Sequence, residues 1–334
     1  MLKYAIIGFG GLGKAHFKNT QAVLERVGDV ELVALCDVEK SAFETQTEIN
    51  LGTNDVSLDL SKYNLYTDVA ELLEKEELDF VITALPTYIH EKIAVMVMEK
   101  GIHVFSEKPM AINLKHAQNM IDKAKKNNVK LMIGQCLRYW PEYVLLKEMI
   151  DSKKYGKVIW ADFKRFSQTP KWSWQDWMRD GEKSGGCALD MHVHDVDFIS
   201  WAFGKPKTVT SRATSVDVEH DCILTFYDYG DVLVSASSGW GLKQKYPFTA
   251  EFVVRFENAS VEMKGGKMML YTDDAATEIE VSNENAYVEE VVDFIACIRE
   301  DRESTINTPE TAKASIAIAI AEKKSADKKK TIKL

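Results

Sequence analysis

The sequence predicts an α/β protein: an N-terminal doubly wound parallel sheet followed by an α+β domain with a mainly antiparallel sheet. Three observations predict it. The first is an apolar run over residues 2–7 that breaks into Gly8-Phe9-Gly10-Gly11-Leu12-Gly13 and then into a helical pattern. The second is the alternation, up to about residue 135, of short β-rich runs with helical segments, the pattern of right-handed βαβ units. The third is a change of character after Gly156, where strand-like runs follow one another and Tyr229-Gly230, Asn258 and Gly265-Gly266 punctuate hairpins. These place a nucleotide-binding Rossmann domain over residues 1–136 and a substrate-binding α+β domain over 137–334.

The glycines divide the work of the first turn. Gly8 supplies the backbone angles, Gly10 leaves room for a pyrophosphate to approach the main chain, and Gly13 lets the helix pack closely on its strand. With Phe9, Gly11 and Leu12 they present the N-H groups and positive end of a helix to the phosphates. A second apolar run, 30–36, ends at Asp37, whose carboxylate can accept hydrogen bonds from the adenosine ribose. That charge repels a 2′-phosphate, and Val38, Glu39 and Lys40 bring no arginine to clamp one. NAD is therefore the expected cofactor, with Lys40 leaving NADP possible.

The remaining elements follow in order. A short strand is expected over 64–66, a helix over 68–75 and a strand over 79–84. Leu85-Pro86-Thr87 then leads into a helix over 88–100, with Thr87 as its cap and Gly101 as its stop. Ligands of doubly wound sheets bind beyond the carboxyl ends of the strands, so Pro86, Thr87 and His90 fall on the cofactor side; His90 reads equally well as a helix-surface residue. A strand over 102–105 ends in Ser106-Glu107-Lys108-Pro109, again at a carboxyl end, and Pro109 biases Lys108 toward extended backbone. A helix over 113–127 and a strand over 130–135 complete the sheet, and Arg138 opens a connecting helix reaching about residue 151.

In the second domain a helix is expected over 188–203, carrying Asp190, His192, His194, Asp195 and Asp197. On a continuous helix Asp190, His194 and Asp197 share one face while His192 and Asp195 project elsewhere, so no single metal ion could collect them and none is expected. Asp190, one turn before His194, could instead hold its imidazole for proton transfer. Upstream, Trp172, Trp174 and Trp177 stand among Arg165, Gln168, Lys171, Asp176 and Arg179, a mixture suited to the C-H faces and hydroxyls of a polyol, and equally to loop packing.

Composition narrows the classes. The 334 residues carry a net charge of -9, which argues against a general nucleic-acid binder. The five cysteines contain no C-x-x-C pair, which disfavours a zinc cluster and a disulfide framework. No apolar run approaches membrane-spanning length and no leader segment is evident, so a cytoplasmic protein is expected. The basic run Lys323 to Lys333 reads as a solvated, frayed terminus.

Together these motifs resemble the glucose-fructose oxidoreductase and inositol dehydrogenase family, often called Gfo/Idh/MocA. The carriers are the Gly8–Gly13 turn with His16 downstream, Pro86-Thr87 to His90, Glu107-Lys108-Pro109, and Gly185-Gly186 followed by Asp190 and His194; the resemblance spans the whole chain. It implies an oxidoreductase with NAD or NADP bound to a Rossmann domain near Glu107 and Lys108. It also implies a sugar, cyclitol or related polyol as small-molecule substrate, a large open, mainly antiparallel sheet in the C-terminal domain, and a homodimer or homotetramer made through that sheet. By the same resemblance Lys108 is the catalytic lysine and Asp190 and His194 are the pair beside the substrate. Arg138, Trp172 and Trp174 are expected as further substrate contacts. His192 departs from the pattern, standing where many members carry glycine. Hydride transfer from a secondary alcohol needs a group that steadies the developing alkoxide and another that takes its proton, roles that suit Lys108 and His194. A free lysine titrates near about 10.4, so a lysine base would need a strongly lowered value. Two other outcomes share the motif set: a glycoside hydrolase that uses tightly held NAD, and a non-catalytic nucleotide-responsive regulator.

Overall fold

The computed structural model describes residues 1–45, 58–171 and 173–334. Six strands, β1 (Leu2–Ile7), β2 (Val30–Cys36), β3 (Asn64–Tyr66), β4 (Phe80–Thr83), β5 (His103–Glu107) and β6 (Leu131–Gly134), form a parallel sheet in the order β3-β2-β1-β4-β5-β6. The order reverses between β1 and β4, and a dinucleotide fold binds its ligand at the carboxyl ends beside that reversal. The crossovers carry α1 (Gly11–Val27), α2 (Val69–Lys75), α3 (His90–Met98) and α4 (Leu114–Asn127). Asp68 caps α2 through the Glu71 N-H and Asn113 caps α4 through the His116 N-H.

The next helices are α5 (Pro141–Ser152), α6 (Gly181–Ser184), α7 (Gly186–Asp190) and α8 (Val193–Phe203). The second sheet contains β7 (Val158–Gln168), β8 (Thr208–Thr214), β9 (Cys222–Asp228), β10 (Leu233–Leu242), β11 (Thr249–Phe256), β12 (Ser260–Lys264), β13 (Lys267–Tyr271), β14 (Ala276–Ile279) and β15 (Ile332–Lys333), after α9 (Ala286–Arg299) and α10 (Pro309–Lys328). Its order is β14-β13-β12-β11-β7-β10-β9-β8-β15, antiparallel throughout except where β7 meets β10.

The chain divides into two compact units. The first takes Met1–Gln135, a short stretch ending at Trp177, and Tyr287–Lys313; the second takes Cys136–Lys171, Met178–Ala286 and Ala314–Leu334. In the first, Val288, Val291, Phe294 and Ile295 of α9 join Ile6, Leu35, Phe80 and Phe105 in one buried cluster. In the second, the aromatic rings of Tyr143, Phe163, Phe198 and Phe252 meet with centroids 4.9 to 6.1 Å apart, which seats α5 and α8 on the sheet.

Several expectations are corrected. Thr87 does not cap a long helix: Thr87–Ile89 is a single 3-10 turn and α3 begins at His90. The strand expected to stop at 105 runs through Ser106 and Glu107. The basic terminus is not frayed, because α10 continues to Lys328 with Ser325 and Ala326 buried, and β15 pairs with β8 at the sheet edge. All five cysteines are free. No described helix is long and apolar enough to cross a membrane.

Candidate active site

In the first unit the glycine turn has the geometry a dinucleotide requires. Gly8 has φ +90°, and a Cβ there would overlap the Ala84 carbonyl oxygen; a Cβ on Gly13 would overlap the Gly8 carbonyl oxygen. A Cβ on Gly10, by contrast, would have nothing within 4 Å. The backbone is thus open where a pyrophosphate must approach and tight where helix and strand must touch. Gly10 caps α1 without a side-chain bond, and Gly11, Leu12 and Gly13 form a first turn with no acidic residue, which suits an anion.

Asp37 stands at the end of β2. Its Oδ2 accepts the Phe9 N-H at 2.7 Å and its Oδ1 accepts the Glu39 N-H at 2.9 Å, so the carboxylate braces the glycine turn. A carboxylate has about four acceptor positions, which leaves capacity for ribose hydroxyls. The Phe9 ring itself is buried, packed with Phe17 and Phe43, so only its backbone belongs to the nucleotide side.

The loops after β4 and β5 are joined by His90. One ring nitrogen lies 2.7 Å from the Leu85 carbonyl oxygen and the other 2.9 Å from that of Pro109. Burial lowers its pKa, against the two carbonyls, which favour the charged ring. Half-buried Pro86 ends the first of these loops, and the buried Thr87 Oγ1 has no hydrogen-bond partner among the described residues. Glu107 is buried: its Oε1 meets His16 Nε2 at 2.6 Å and its Oε2 accepts the Lys108 N-H at 3.2 Å. Lys108 follows, and between Val104 and Ala111 it is the one residue whose side chain is not buried.

In the second unit α7 ends at Asp190 and α8 begins at Val193. The Met191 and His192 N-H groups both donate to the Cys187 carbonyl, at 3.0 and 2.9 Å, which interrupts the regular ladder. Asp190 and His194 therefore sit on two helices, and the one-turn spacing assumed for a continuous helix does not apply. From Ser184 to Ile199 His194 is the only residue that is not buried. Its Nδ1 lies 3.8 Å from Cys136 Sγ.

The sequence profile described as "Oxidoreductase family, NAD-binding Rossmann fold" matches residues 2–135, and that of the GFO/IDH/MocA C-terminal domain matches 143–262. The chain belongs to the Gfo/Idh/MocA family. It is an NAD-binding oxidoreductase, and the glycine turn, Asp37 and the bare N-terminus of α1 fit that cofactor. It is 26% identical over 368 residues to myo-inositol 2-dehydrogenase of Thermotoga maritima, covering 100% of this chain and 98% of that enzyme. It is 26% identical over 343 residues to scyllo-inositol 2-dehydrogenase (NAD(+)) of Bacillus subtilis, covering 96% and 92%. An oxidoreductase from Agrobacterium radiobacter, solved in complex with NAD+, L-tartaric acid and magnesium, shares the fold with a TM-score of 0.81 at 17% identity, covering 99% of this chain and 98% of that one.

Within this Gfo/Idh/MocA chain several predicted site residues have other work. His90 and Glu107 are buried and brace the Lys108 loop. Arg138, expected at the substrate, is buried in two hydrogen bonds to Asp197 at 2.8 and 2.9 Å. Arg165 is likewise paired with Asp195. His192 points away from His194: its Nδ1 is 2.7 Å from Ser238 Oγ, and its Nε2 is 3.3 Å from the Tyr227 hydroxyl and 3.5 Å from Glu322. The Trp174 indole N-H donates to Glu39 at 3.1 Å, two residues beyond Asp37, which places it beside the nucleotide loop; Trp172 lies outside the described residues.

Two residues were missed. Lys14 is 6% exposed, with its Nζ 2.5 Å from the Thr45 carbonyl oxygen and 5.6 Å above the Phe9 ring; burial lowers its pKa, opposed by the charge of Asp37. Its signal was its place directly after Gly13. Gln135, at the carboxyl end of β6, is buried with neither amide atom partnered among the described residues. Its signal was its place at the end of the strand expected over 130–135.

Proposed function

We propose that this oxidoreductase moves a hydride between NAD and a secondary alcohol of a cyclitol, sugar or related polyol. The observation that carries the reading is Lys108, the one side chain left unburied in its segment, at the carboxyl end of an inner strand of a dinucleotide sheet. The names of the two inositol dehydrogenase relatives support the substrate class. Bound NAD supplies the hydride acceptor. Lys108 Nζ donates to the reacting oxygen and offsets the charge that grows on it as the C-H bond breaks. His194, the unburied imidazole of its own segment, takes the proton. Asp190 orients that ring or binds a neighbouring hydroxyl.

The test is formation of reduced nicotinamide when the purified protein meets NAD, then NADP, with inositols, aldoses, sugar acids and sugar phosphates, alongside Lys108→Ala. Lysine-dependent reduction with a polyol supports the reading. Retained NAD with no net reduction, but sugar released from a glycoside, replaces it with the hydrolase; binding without any turnover replaces it with the regulator. A proton-accepting imidazole must be neutral, so oxidation by the parent enzyme falls on the acid side of its profile. In His194→Ala that acid limb disappears and kcat drops about 10² to 10⁴-fold. A variant profile that keeps the limb assigns the base elsewhere.

The protein is also proposed to be a homodimer or homotetramer assembled through its open sheet. The side chains of Leu224, Phe226 and Leu233 on adjacent strands are 42%, 49% and 55% exposed, an apolar face that a second copy would cover. Light scattering at micromolar concentration should give twice or four times the chain mass, and Phe226→Asp should lower it. A monomeric parent protein removes the proposal.

A further inference from the structure

Below the Lys108 turn, in the first unit, lies a group of side chains that the chemistry above does not use. His16 on α1, Glu107 on β5 and Glu290 on α9 are all buried, and one nitrogen or carboxylate oxygen from each lies within 4.8 Å of the other two. His16 and Glu107 meet at 2.6 Å, and Glu107 also accepts the Lys108 N-H. Glu290 has 0% exposure, and neither of its carboxyl oxygens has a hydrogen-bond partner among the described residues.

An imidazole and two carboxylates can hold a divalent cation. The spacing argues otherwise in this trio. Ligands about 2.1 Å from one tetrahedral ion stand about 3.4 Å apart, whereas the 2.6 Å between His16 and Glu107 is the length of a charge-assisted hydrogen bond. The trio is organised by protons. An ionised Glu290 would be a buried charge with no donor beside a second carboxylate, the costliest arrangement available. With a proton on Glu290 a single carboxylate, that of Glu107, remains in the trio, and His16 lies within hydrogen-bond distance of it.

We infer that Glu290 is a neutral carboxylic acid, the proton-bearing neighbour of a hydrogen-bonded His16–Glu107 pair, and that the trio is a positioning device for the backbone at Lys108. The inference rests on the catalytic reading of Lys108. Burial, and then the charge of Glu107, push the Glu290 pKa well up. The titratable groups facing it are Glu107 from β5 and His16 from α1. The His16 ring is itself wedged edge-on between Phe105 and Tyr287, with centroids 5.8 and 6.3 Å away, so it cannot swing to a new partner cheaply. Ionising Glu290 would set a second anion competing for His16 and loosen the carboxylate that accepts the Lys108 N-H.

Three readouts test this in the full-length protein. The infrared spectrum at neutral pH should contain a protonated carboxyl band, deuterium-sensitive, that Glu290→Gln removes. The melting temperature supplies the second. Because the folded pKa is raised, the stability tied to this proton is complete below the unfolded value of about 4.3 and declines as pH rises toward the folded value. Glu290→Gln lacks that decline, so its Tm should climb relative to the parent from about pH 5 to about pH 8. The third is kinetic: His16→Ala and Glu290→Ala should lower kcat by up to about 10²-fold at unchanged KM for NAD, and Glu290→Gln should restore most of it. Absence of the band, a pH-independent Tm difference, or a stoichiometric divalent metal that Glu290→Gln removes would each overturn the protonated acid. The band present with kcat untouched in His16→Ala overturns the positioning role. The first two readouts need no substrate, so they stand apart from any failure of Lys108 as the catalytic group.

Discussion

Replacing Lys108 by alanine is expected to lower kcat by about 10³-fold while NAD still binds with an affinity within a few-fold of the parent. The estimate follows from where charge moves. When a hydride leaves a secondary alcohol the oxygen passes toward an alkoxide if its proton lags, and a fixed ammonium donor lowers that barrier by about 2.7 to 4 kcal/mol. Lys108 is suited to the role because its surroundings are rigid. Glu107 holds its N-H, His90 ties the carbonyl of Pro109 to that of Leu85, and its flanking residues are buried. Lys108→Arg should recover little, since a planar guanidinium does not place its donors where a compact ammonium does. Stopped-flow reduction of NAD, with NAD titrated separately by calorimetry, separates loss of chemistry from loss of cofactor. Activity of Lys108→Ala within tenfold of the parent would sink the assignment.

How much could be read in advance varied with the range of the forces involved. The roles of Gly8, Gly10 and Gly13 are local: a positive φ, a backbone left bare and a helix laid on its own strand follow from a few adjacent residues, and the structure has all three. The alternation that gave the doubly wound sheet is similarly short-range, and the strand order follows the usual rule for such sheets. The interruption at Met191–His192 was not legible. Apolar residues continue across it, and the extra bond to the Cys187 carbonyl leaves no mark on the pattern. The pairing of Arg138 was not legible for another reason: a buried arginine and a ligand-binding arginine look alike until the carboxylate 59 residues away is located. The return of α9 to the first unit, which carries Glu290 to His16, depends on packing across most of the chain.

The same distinction governs the largest expected effect on stability, in the second unit. The Arg165 guanidinium is 4% exposed and donates twice to Asp195, at 2.9 Å each, and once to the Tyr143 hydroxyl at 3.1 Å; Asp195 is fully buried. Asp195→Ala leaves the guanidinium in place with a single neutral acceptor named among its partners, so the variant should lose about 3 to 5 kcal/mol. That is a large part of the roughly 5 to 15 kcal/mol that holds an ordinary domain folded. The loss is a penalty for the stranded cation rather than the net worth of the pair, and the two can be separated. Arg165→Met combined with Asp195→Leu removes both charges and fills similar volume, and it should recover most of the stability. Urea midpoints at unchanged m-value measure each step. Salt should matter little, because screening acts weakly on buried pairs. If Asp195→Ala alone costs less than about 1 kcal/mol, the pair is hydrated as a surface ion pair would be, and α8 does not pack against β7 closely enough to exclude water from it. If the double variant is as unstable as the single one, the carboxylate is needed for more than neutralising Arg165, and the seating of Tyr143 between Phe198 and Phe252 is where that need would lie.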